Sequence, residues 1–313
     1  SAKTMNRSKY DVRLAAGTIT AGGTLGILIP PSIMLVVMGP ILNVPVTDLF
    51  AAAIMPGLML AVLYTGYTLI RCHLNPSLGP VVPDDLIPET MKEVWVEFFK
   101  GLVPPVLLVG SSLGSILAGW ATPTEGAAMG AVGAIVLTLA YRKLTFKSFR
   151  EALLKTLEIT TLIMILVCAS NFFGSVFSRL GTPTMITEYL MLLDLPPTVL
   201  LLIIMALIFL LAWPLEWVPI VLIIIPIILP LIEQLGFNLT WFGILVAVNL
   251  QTAWLSPPVA LSAYFLKGVV PEWDLSDIYK GMMQFMVIQV FGLALIIIFP
   301  QIVLWLPTYL YGN

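Results

Sequence analysis

The chain has 313 residues, of which 59% are hydrophobic and only 10% charged, with one histidine and a formal net charge of -2. A soluble globular domain carries about 25% charged residues, so this composition excludes one, and the lack of a basic cluster excludes a nucleic-acid binder. With a mean hydropathy of +1.02, it is the composition of a chain that crosses a bilayer several times.

The opening "SAKTMNRSKYDVRL" is neither a signal peptide nor an initiator sequence, because no apolar stretch precedes a small-residue cleavage site. It reads as the end of a helix and a polar turn, so an N-terminally truncated chain is expected. Long uncharged runs follow from Leu14 to Thr47, Gln234 to Leu266 and Gly281 to Asn313. About 20 apolar residues span the hydrocarbon core as a helix. On that measure apolar helices are expected at 13–42, 46–72, 102–120, 125–142, 150–179, 196–235, 240–266 and 277–305.

The sixth of these is too long for one span and carries Trp213-Pro214 and Pro219 near its middle, with Gly236 beyond its end. That spacing predicts two half-length helices folded as a re-entrant hairpin, leaving seven crossings. With the N-terminus in the cytoplasm, 14 of the 15 Lys and Arg residues fall inside and only Arg179 outside. The positive-inside rule supports this layout. Reading 196–235 as one crossing would move Lys267 and Lys280 outside. The stretch "PDDLIPETMKEVWVEFFKGL" sets Trp95, Phe98 and Phe99 beside Lys92, Glu93, Glu97 and Lys100, the pattern of an interfacial amphipathic helix at about 84–100 or of a soluble loop. Cys72 and Cys168 stand alone on apolar segments, as reduced core residues rather than metal ligands.

An internal repeat orders the rest. "LGILIPPSIMLVV" (Leu25 to Val37) matches "TAWLSPPVALSAY" (Thr252 to Tyr264), with Pro30-Pro31 on Pro257-Pro258. Small or polar residues precede each pair: Thr20, Gly22, Gly23, Thr24 and Gly26 in one run, Asn249, Gln251, Thr252 and Ser256 in the other. The two runs point in opposite directions across the membrane, the pattern of an inverted-repeat transporter. Proline removes a backbone donor and frees carbonyls that lipid cannot satisfy. Freed carbonyls and hydroxyls suit a small cation, and half-helix N-termini attract anions. "GTLGILIPPS" (Gly23 to Ser32) is therefore expected to be an unwound ion- and substrate-binding elbow, against the plainer reading of a proline-kinked helix with glycines for close packing.

The stretches "AGTITAGGTLGILIPPSI", "GWATPTEGAAMGA", "LEWVPIVLIIIPIILP" and "VNLQTAWLSPPVAL" resemble, in order and over nearly the whole chain, the large membrane subunit of tripartite ATP-independent periplasmic (TRAP) transporters. The resemblance implies an all-α polytopic fold and a sodium-driven, elevator-type importer in the bacterial inner membrane. Its partners would be a small membrane subunit and a periplasmic solute-binding protein. Its substrates would be organic acids of the C4-dicarboxylate, keto acid or sialic acid type. Family members have a longer N-terminal part with a first re-entrant hairpin, of which Ser1 to Met5 resemble the tail.

On this reading Na+ is held mainly by backbone carbonyls around Gly23, Thr24, Gly26, Pro30, Glu216, Asn249, Thr252 and Pro257. The substrate contacts Thr24, Ser32, Ser170, Asn171, Glu216, Gln251 and Ser256. Glu216, the one charge between Asp194 and Glu233, is a functional carboxylate at membrane depth or a tip residue facing outer water. Glu125 in "TPTEG" reads as part of a helix cap, and Arg179 as an anion attractor, a partner contact or a headgroup anchor. Ser170 and Asn171 in "SNFFG" line a substrate cavity or bond neighbouring helices.

The expected division is 1–45 for the first hairpin's end and first broken transport helix, 46–149 for scaffold helices, 150–268 for the second transport part, and 269–313 for a last transmembrane helix. No nucleophile–base set, Walker loop or dinucleotide turn is present, so an enzyme is not expected. A stand-alone sodium- or proton-coupled carboxylate carrier and a non-transporting scaffold or channel are the competing readings.

Overall fold

Proline, glycine and polar caps decide where each apolar run of this chain becomes two helices. The computed structural model describes residues 2–81, 83, 90–257 and 260–312. Among these residues every regular element is helical. Packing divides the chain into two units, residues 1–81 with 169–313, and residues 82–168. Among the described residues six helices are long and apolar enough to cross a membrane, or up to seven if the bent pair Val12–Leu28 and Ile33–Leu42 is one span.

The larger unit begins with α1 (Ala2–Arg7), α2 (Val12–Leu28), α3 (Ile33–Leu42) and α4 (Val46–Leu74). Asp11 caps α2 by accepting the Leu14 N–H at 2.9 Å, which fixes where the helix leaves the basic N-terminal turn. The expected unwinding from Gly23 is corrected: α2 stays helical to Leu28, and only Ile29–Ser32 break it, with a 42° bend. A helical glycine costs about 1 kcal/mol, whereas an interior proline costs about 3 kcal/mol and removes a donor. Glycines therefore do not unwind the run; the prolines do.

After the second unit come the end of α8 (Phe146–Arg179), α9 (Thr182–Met191), α10 (Pro197–Ala212), the short turn α11 (Trp217–Pro219), a π turn at Ile220–Ile224 and α12 (Ile225–Gln234). The break expected near the middle of 196–235 falls at Trp213–Glu216. The second arm, however, is not half-length. With its π turn, Trp217–Gln234 is long and apolar enough to cross by itself, even with Pro226 within it and Pro230 inside α12. The first arm, α10, packs on α13, while α12 packs on α9. Helix α9 had no sequence expectation; its ten residues are too short to register as a span.

The last part holds α13 (Leu239–Leu255), α14 (Leu261–Val269), α15 (Leu275–Ile298) and α16 (Gln301–Tyr311). From Trp241 to Leu255 all of α13 except Trp254 is buried, so this helix is the axis of the unit. Its end at Ser256 matches the second expected elbow; Pro258 lies outside the described residues, as do positions 84–89 of the expected interfacial helix. The single helix expected at 277–305 is corrected to two, α15 and α16, broken at Phe299 and Pro300. Helix α2 packs tightly on α15: a Cβ on Gly281 would lie 2.0 Å from the Arg13 carbonyl oxygen, so only glycine permits this approach.

The second unit holds α5 (Met91–Gly101), α6 (Val103–Leu117), α7 (Pro123–Ala140) and the start of α8. Helix α5 is amphipathic with no buried residue, and Trp95, Phe98 and Phe99 contact one another along it. Helices α6 and α7 pair through Ser112, whose hydroxyl donates to the Gly126 carbonyl at 2.6 Å. Thr122 and Glu125 form the expected cap, a reciprocal capping box at the start of α7.

Candidate functional site

The two proline breaks handle their loose carbonyls in the same way. Pro30 and Pro31 carry no N–H for the carbonyls of Gly26 and Ile27, four residues back. The Ser32 hydroxyl donates to the Ile27 carbonyl and also accepts the Leu35 N–H, starting α3. The Gly26 carbonyl is left without its helical donor. In the second break Pro257 and Pro258 withhold donors from Ala253 and Trp254, and the Ser262 hydroxyl donates to the Trp254 carbonyl. Ala253 is the counterpart of Gly26. Each elbow thus refills the second vacated carbonyl with a serine, and among the described residues nothing replaces the helical donor of the first.

Buried amides tie the elbows together. Gln251 Nε2 donates to the Thr24 carbonyl at 3.1 Å, joining α13 to α2 just before both breaks. Gln289 Nε2 on α15 donates to Gln251 Oε1 at 2.5 Å and to the Val248 carbonyl at 3.0 Å. Tyr64 on α4 donates its hydroxyl to Gln289 Oε1. Thr24, Gln251 and Gln289 are all at most 1% exposed, so the network sits in the dry interior of four helices. Gln289 and Tyr64 had no place in the sequence expectations, although a glutamine inside the uncharged run 281–313 was a signal for the first.

Asn249, two residues earlier on α13 and so on another face, donates Nδ2 to the Met205 carbonyl of α10 at 2.8 Å. Its Oδ1 is buried with no hydrogen-bond partner. A buried amide oxygen left unpaired costs about 1–3 kcal/mol, which makes it a ready oxygen ligand. Thr252 Oγ1 donates to the Asn249 carbonyl at 2.5 Å, and Ser256 Oγ to the Thr252 carbonyl at 2.7 Å. Those hydroxyls keep lone pairs for a further contact.

The expected site residues therefore fall in separate places. Thr24, Ser32, Asn249, Gln251, Thr252 and Ser256 are buried at the two elbows. Gly23 and Gly26 lie on the exposed side of α2, with nothing within 4 Å of an added Cβ. Glu216 is exposed at the break between α10 and α11 and makes no side-chain capping bond. Ser170 and Asn171 line a second place, a cavity of about 590 Å³ between the end of α8, α9 and α12. Ser175, Ser178 and Arg179 share its polar wall, and Leu222, Pro226 and Pro230 form its apolar one. That volume lies within the usual range for small-molecule sites.

Paired proline-broken helices, cross-linked by a buried amide network in an all-α chain with six or seven candidate spans, define a polytopic membrane protein built around irregular backbone at depth. Residues 1–302 match the family model of the tripartite ATP-independent periplasmic transporter DctM component, and the chain belongs to that family. It is 30% identical over 313 residues to the sialic acid TRAP transporter large permease protein SiaM of Vibrio cholerae, covering 99% of this chain and 71% of that one. It is 30% identical over 309 residues to the C4-dicarboxylate large permease protein DctM of Pseudomonas aeruginosa, covering 98% and 70%. With the 2,3-diketo-L-gulonate large permease protein YiaN of Escherichia coli the identity is 28% over 304 residues, covering 96% and 69%. The protein is thus a multi-pass transporter permease component of the bacterial inner membrane, not an enzyme.

Proposed function

We propose that this permease imports an organic acid by sodium symport, receiving it from a periplasmic solute-binding protein and working with a small membrane subunit. The three relatives described are named for sialic acid, C4-dicarboxylates and 2,3-diketo-L-gulonate, all carboxylates, and a carboxylate is the substrate class proposed here. The observation that carries the reading is the pair of elbows, each with one carbonyl stripped of its donor beside a buried polar network.

The residues fit sodium. The Gly26 and Ala253 carbonyls lack helical donors, Asn249 Oδ1 is buried and unpaired, and Thr252 keeps hydroxyl lone pairs. Thr24 would be held in place by Gln251. Bound sodium supplies positive charge in an apolar interior, where an anion alone is costly. The substrate carboxylate would meet the hydroxyls of Ser170, Ser175 and Ser178, the Asn171 amide and the Arg179 guanidinium in the α8–α12 cavity. Glu216, exposed at the break, is assigned to the outer mouth.

Alternating access would then be elevator-like, the elbows and the 196–235 segment moving against other helices. The test is uptake of a panel of organic acids by the reconstituted permease with its small subunit. Sodium and the binding protein are each supplied and withheld. Saturable uptake of one carboxylate that needs both is expected. Uptake driven equally well by a proton gradient without sodium, or without any binding protein, overturns the proposal in favour of a stand-alone carrier.

A further inference from the structure

Away from the elbows, the N-terminal ends of α2 and α15 form a cleft of about 680 Å³ lined by Arg13, Ser276, Tyr279, Lys280, Met283 and Gln284. Two bases meet at the Asp277 carboxylate beside it. Arg13 Nε bonds Asp277 Oδ1 at 2.9 Å, and Lys280 Nζ stands 3.8 Å from the same oxygen. Asp274 stands at the rim, its carboxylate accepting the Ser276 N–H at 2.9 Å, so Lys280, 3.8 Å from a carboxylate already bonded to Arg13, is the base most available to an anion. Arg71 Nη1 donates to the Tyr67 hydroxyl at 2.8 Å, and that hydroxyl donates to Gln284 Oε1 at 2.9 Å. This relay fixes which end of the Gln284 amide is used and leaves its NH2 group as a free donor beside the bases.

Below the cleft the same helix presents exposed apolar side chains. Met283 is followed by Val287, Val290 and Phe291, the last three 64%, 41% and 53% exposed. Lys280, Gln284, Val287 and Phe291 recur at steps of three and four, so they share one helical stripe. From Lys280 to Phe291 that stripe rises about 16 Å, close to one leaflet of a hydrocarbon core about 30 Å thick. Cationic and amide donors at one end, with an apolar track one leaflet long below them, are the inverse of a phospholipid.

We propose that this cleft binds an anionic phospholipid of the cytoplasmic leaflet, such as phosphatidylglycerol. Arg13, Lys280, Ser276 and the Gln284 NH2 hold its phosphate, and an acyl chain lies along Met283, Val287 and Phe291. Placement at the cytoplasmic leaflet rests on the positive-inside layout; the basic groups and the stripe do not. Basic pockets between transmembrane helices on the cytoplasmic side are the general setting for such headgroups, and each base near the surface contributes about a fivefold gain in affinity.

The test counts bound lipid by native mass spectrometry on the detergent-purified protein, titrated with phosphatidylglycerol, phosphatidylcholine or inorganic phosphate. Phosphatidylglycerol is expected to bind at concentrations at least fivefold below phosphatidylcholine, undisturbed by millimolar phosphate. Lys280→Gln should erase about fivefold of that preference. Asp277→Asn removes the competing carboxylate and should keep or strengthen lipid binding, which a purely structural ion pair would not do. Equal binding of both lipids, unchanged phosphatidylglycerol binding by Lys280→Gln, loss of it in a folded Asp277→Asn, or displacement by inorganic phosphate each overturns the proposal.

Discussion

Gln289 is the hinge of the buried polar network, since its amide reaches Gln251, Val248 and Tyr64 at once. Replacing it with leucine leaves the Gln251 oxygen buried without its donor and takes the Gln289 acceptor from the Tyr64 hydroxyl, which keeps its contact with Thr24, at about 1–3 kcal/mol for an unpaired group before relaxation. Interhelical hydrogen bonds in membranes have measured somewhat less, about 0.6–2 kcal/mol, so a loss of about 1–3 kcal/mol is expected in all. Thermal unfolding in detergent should show this loss for Gln289→Leu and a smaller one for Tyr64→Phe. The double variant should cost less than the sum, because the two share one bond. Additive losses would mean that the bond is not made. The elbow residues of this network were legible because Thr24, Asn249 and Gln251 lie in the two turns that lead into a Pro-Pro pair, where polar atoms in an apolar run demand a reason. Gln289 leads into no Pro-Pro pair, and tyrosine is ordinary in a membrane helix, so a glutamine in an uncharged run was the one local mark of a four-helix junction.

Proline's missing donor has different consequences in different elements. Pro300 withholds an N–H from the Ile296 carbonyl, and Trp241 Nε1 donates to that carbonyl at 3.1 Å. The break between α15 and α16 is thus already satisfied by protein. At Pro30 and Pro257 the corresponding carbonyls, Gly26 and Ala253, have no such replacement among the described residues. Changing Pro30 and Pro31 to alanine should let α2 reclaim the Gly26 carbonyl and raise the half-saturating sodium concentration for uptake by roughly ten- to hundred-fold, the loss of one ligand worth about 1–3 kcal/mol. The same change at Pro257 and Pro258 should act likewise, while Pro300→Ala should leave sodium dependence intact. Two elbow variants indistinguishable from wild type would place the ion elsewhere. A second expectation concerns the α2–α15 crossing. Gly281→Ala drives a Cβ into the Arg13 carbonyl at 2.0 Å, a backbone contact that cannot rotate away, so about 1–3 kcal/mol of stability should go. Gly66→Ala, with nothing within 4 Å, should be neutral or stabilising by up to about 1 kcal/mol in the same melting measurement. The doubled proline motif was readable in one dimension because it recurs. The Gly281 contact joins residues 268 positions apart in a crossing that no local pattern announces.

At the scale of the whole molecule, hydropathy located the spans but not how they associate. Helix α4, expected among the scaffold helices of 46–149, packs on α2, α13, α15 and α16 in the larger unit. Packing units and moving parts need not coincide, so the division into scaffold and transport parts belongs to the proposed mechanism. The side of the membrane reached at residue 234 decides the topology. Trp217–Gln234 is long enough to cross alone, so helix length does not discriminate between readings of 196–235. Charge does: a single crossing there sends Lys267 and Lys280 outside, while a segment that returns keeps 14 of 15 bases inside. Asn238 is a poor probe because its side chain caps α13 by accepting the Trp241 N–H at 3.0 Å, a bond worth about 1 kcal/mol. Gln234, exposed at the end of α12, is free of that role. Lys147 is exposed, and its 4.0 Å pairing with Glu151 contributes little. In a background with Cys72 and Cys168 replaced, a membrane-impermeant thiol reagent should label Gln234→Cys from the periplasm and Lys147→Cys from the cytoplasm. Labelling of both from one side would make 196–235 a single crossing, put the second elbow in the same direction as the first, and remove the inverted repeat from the account.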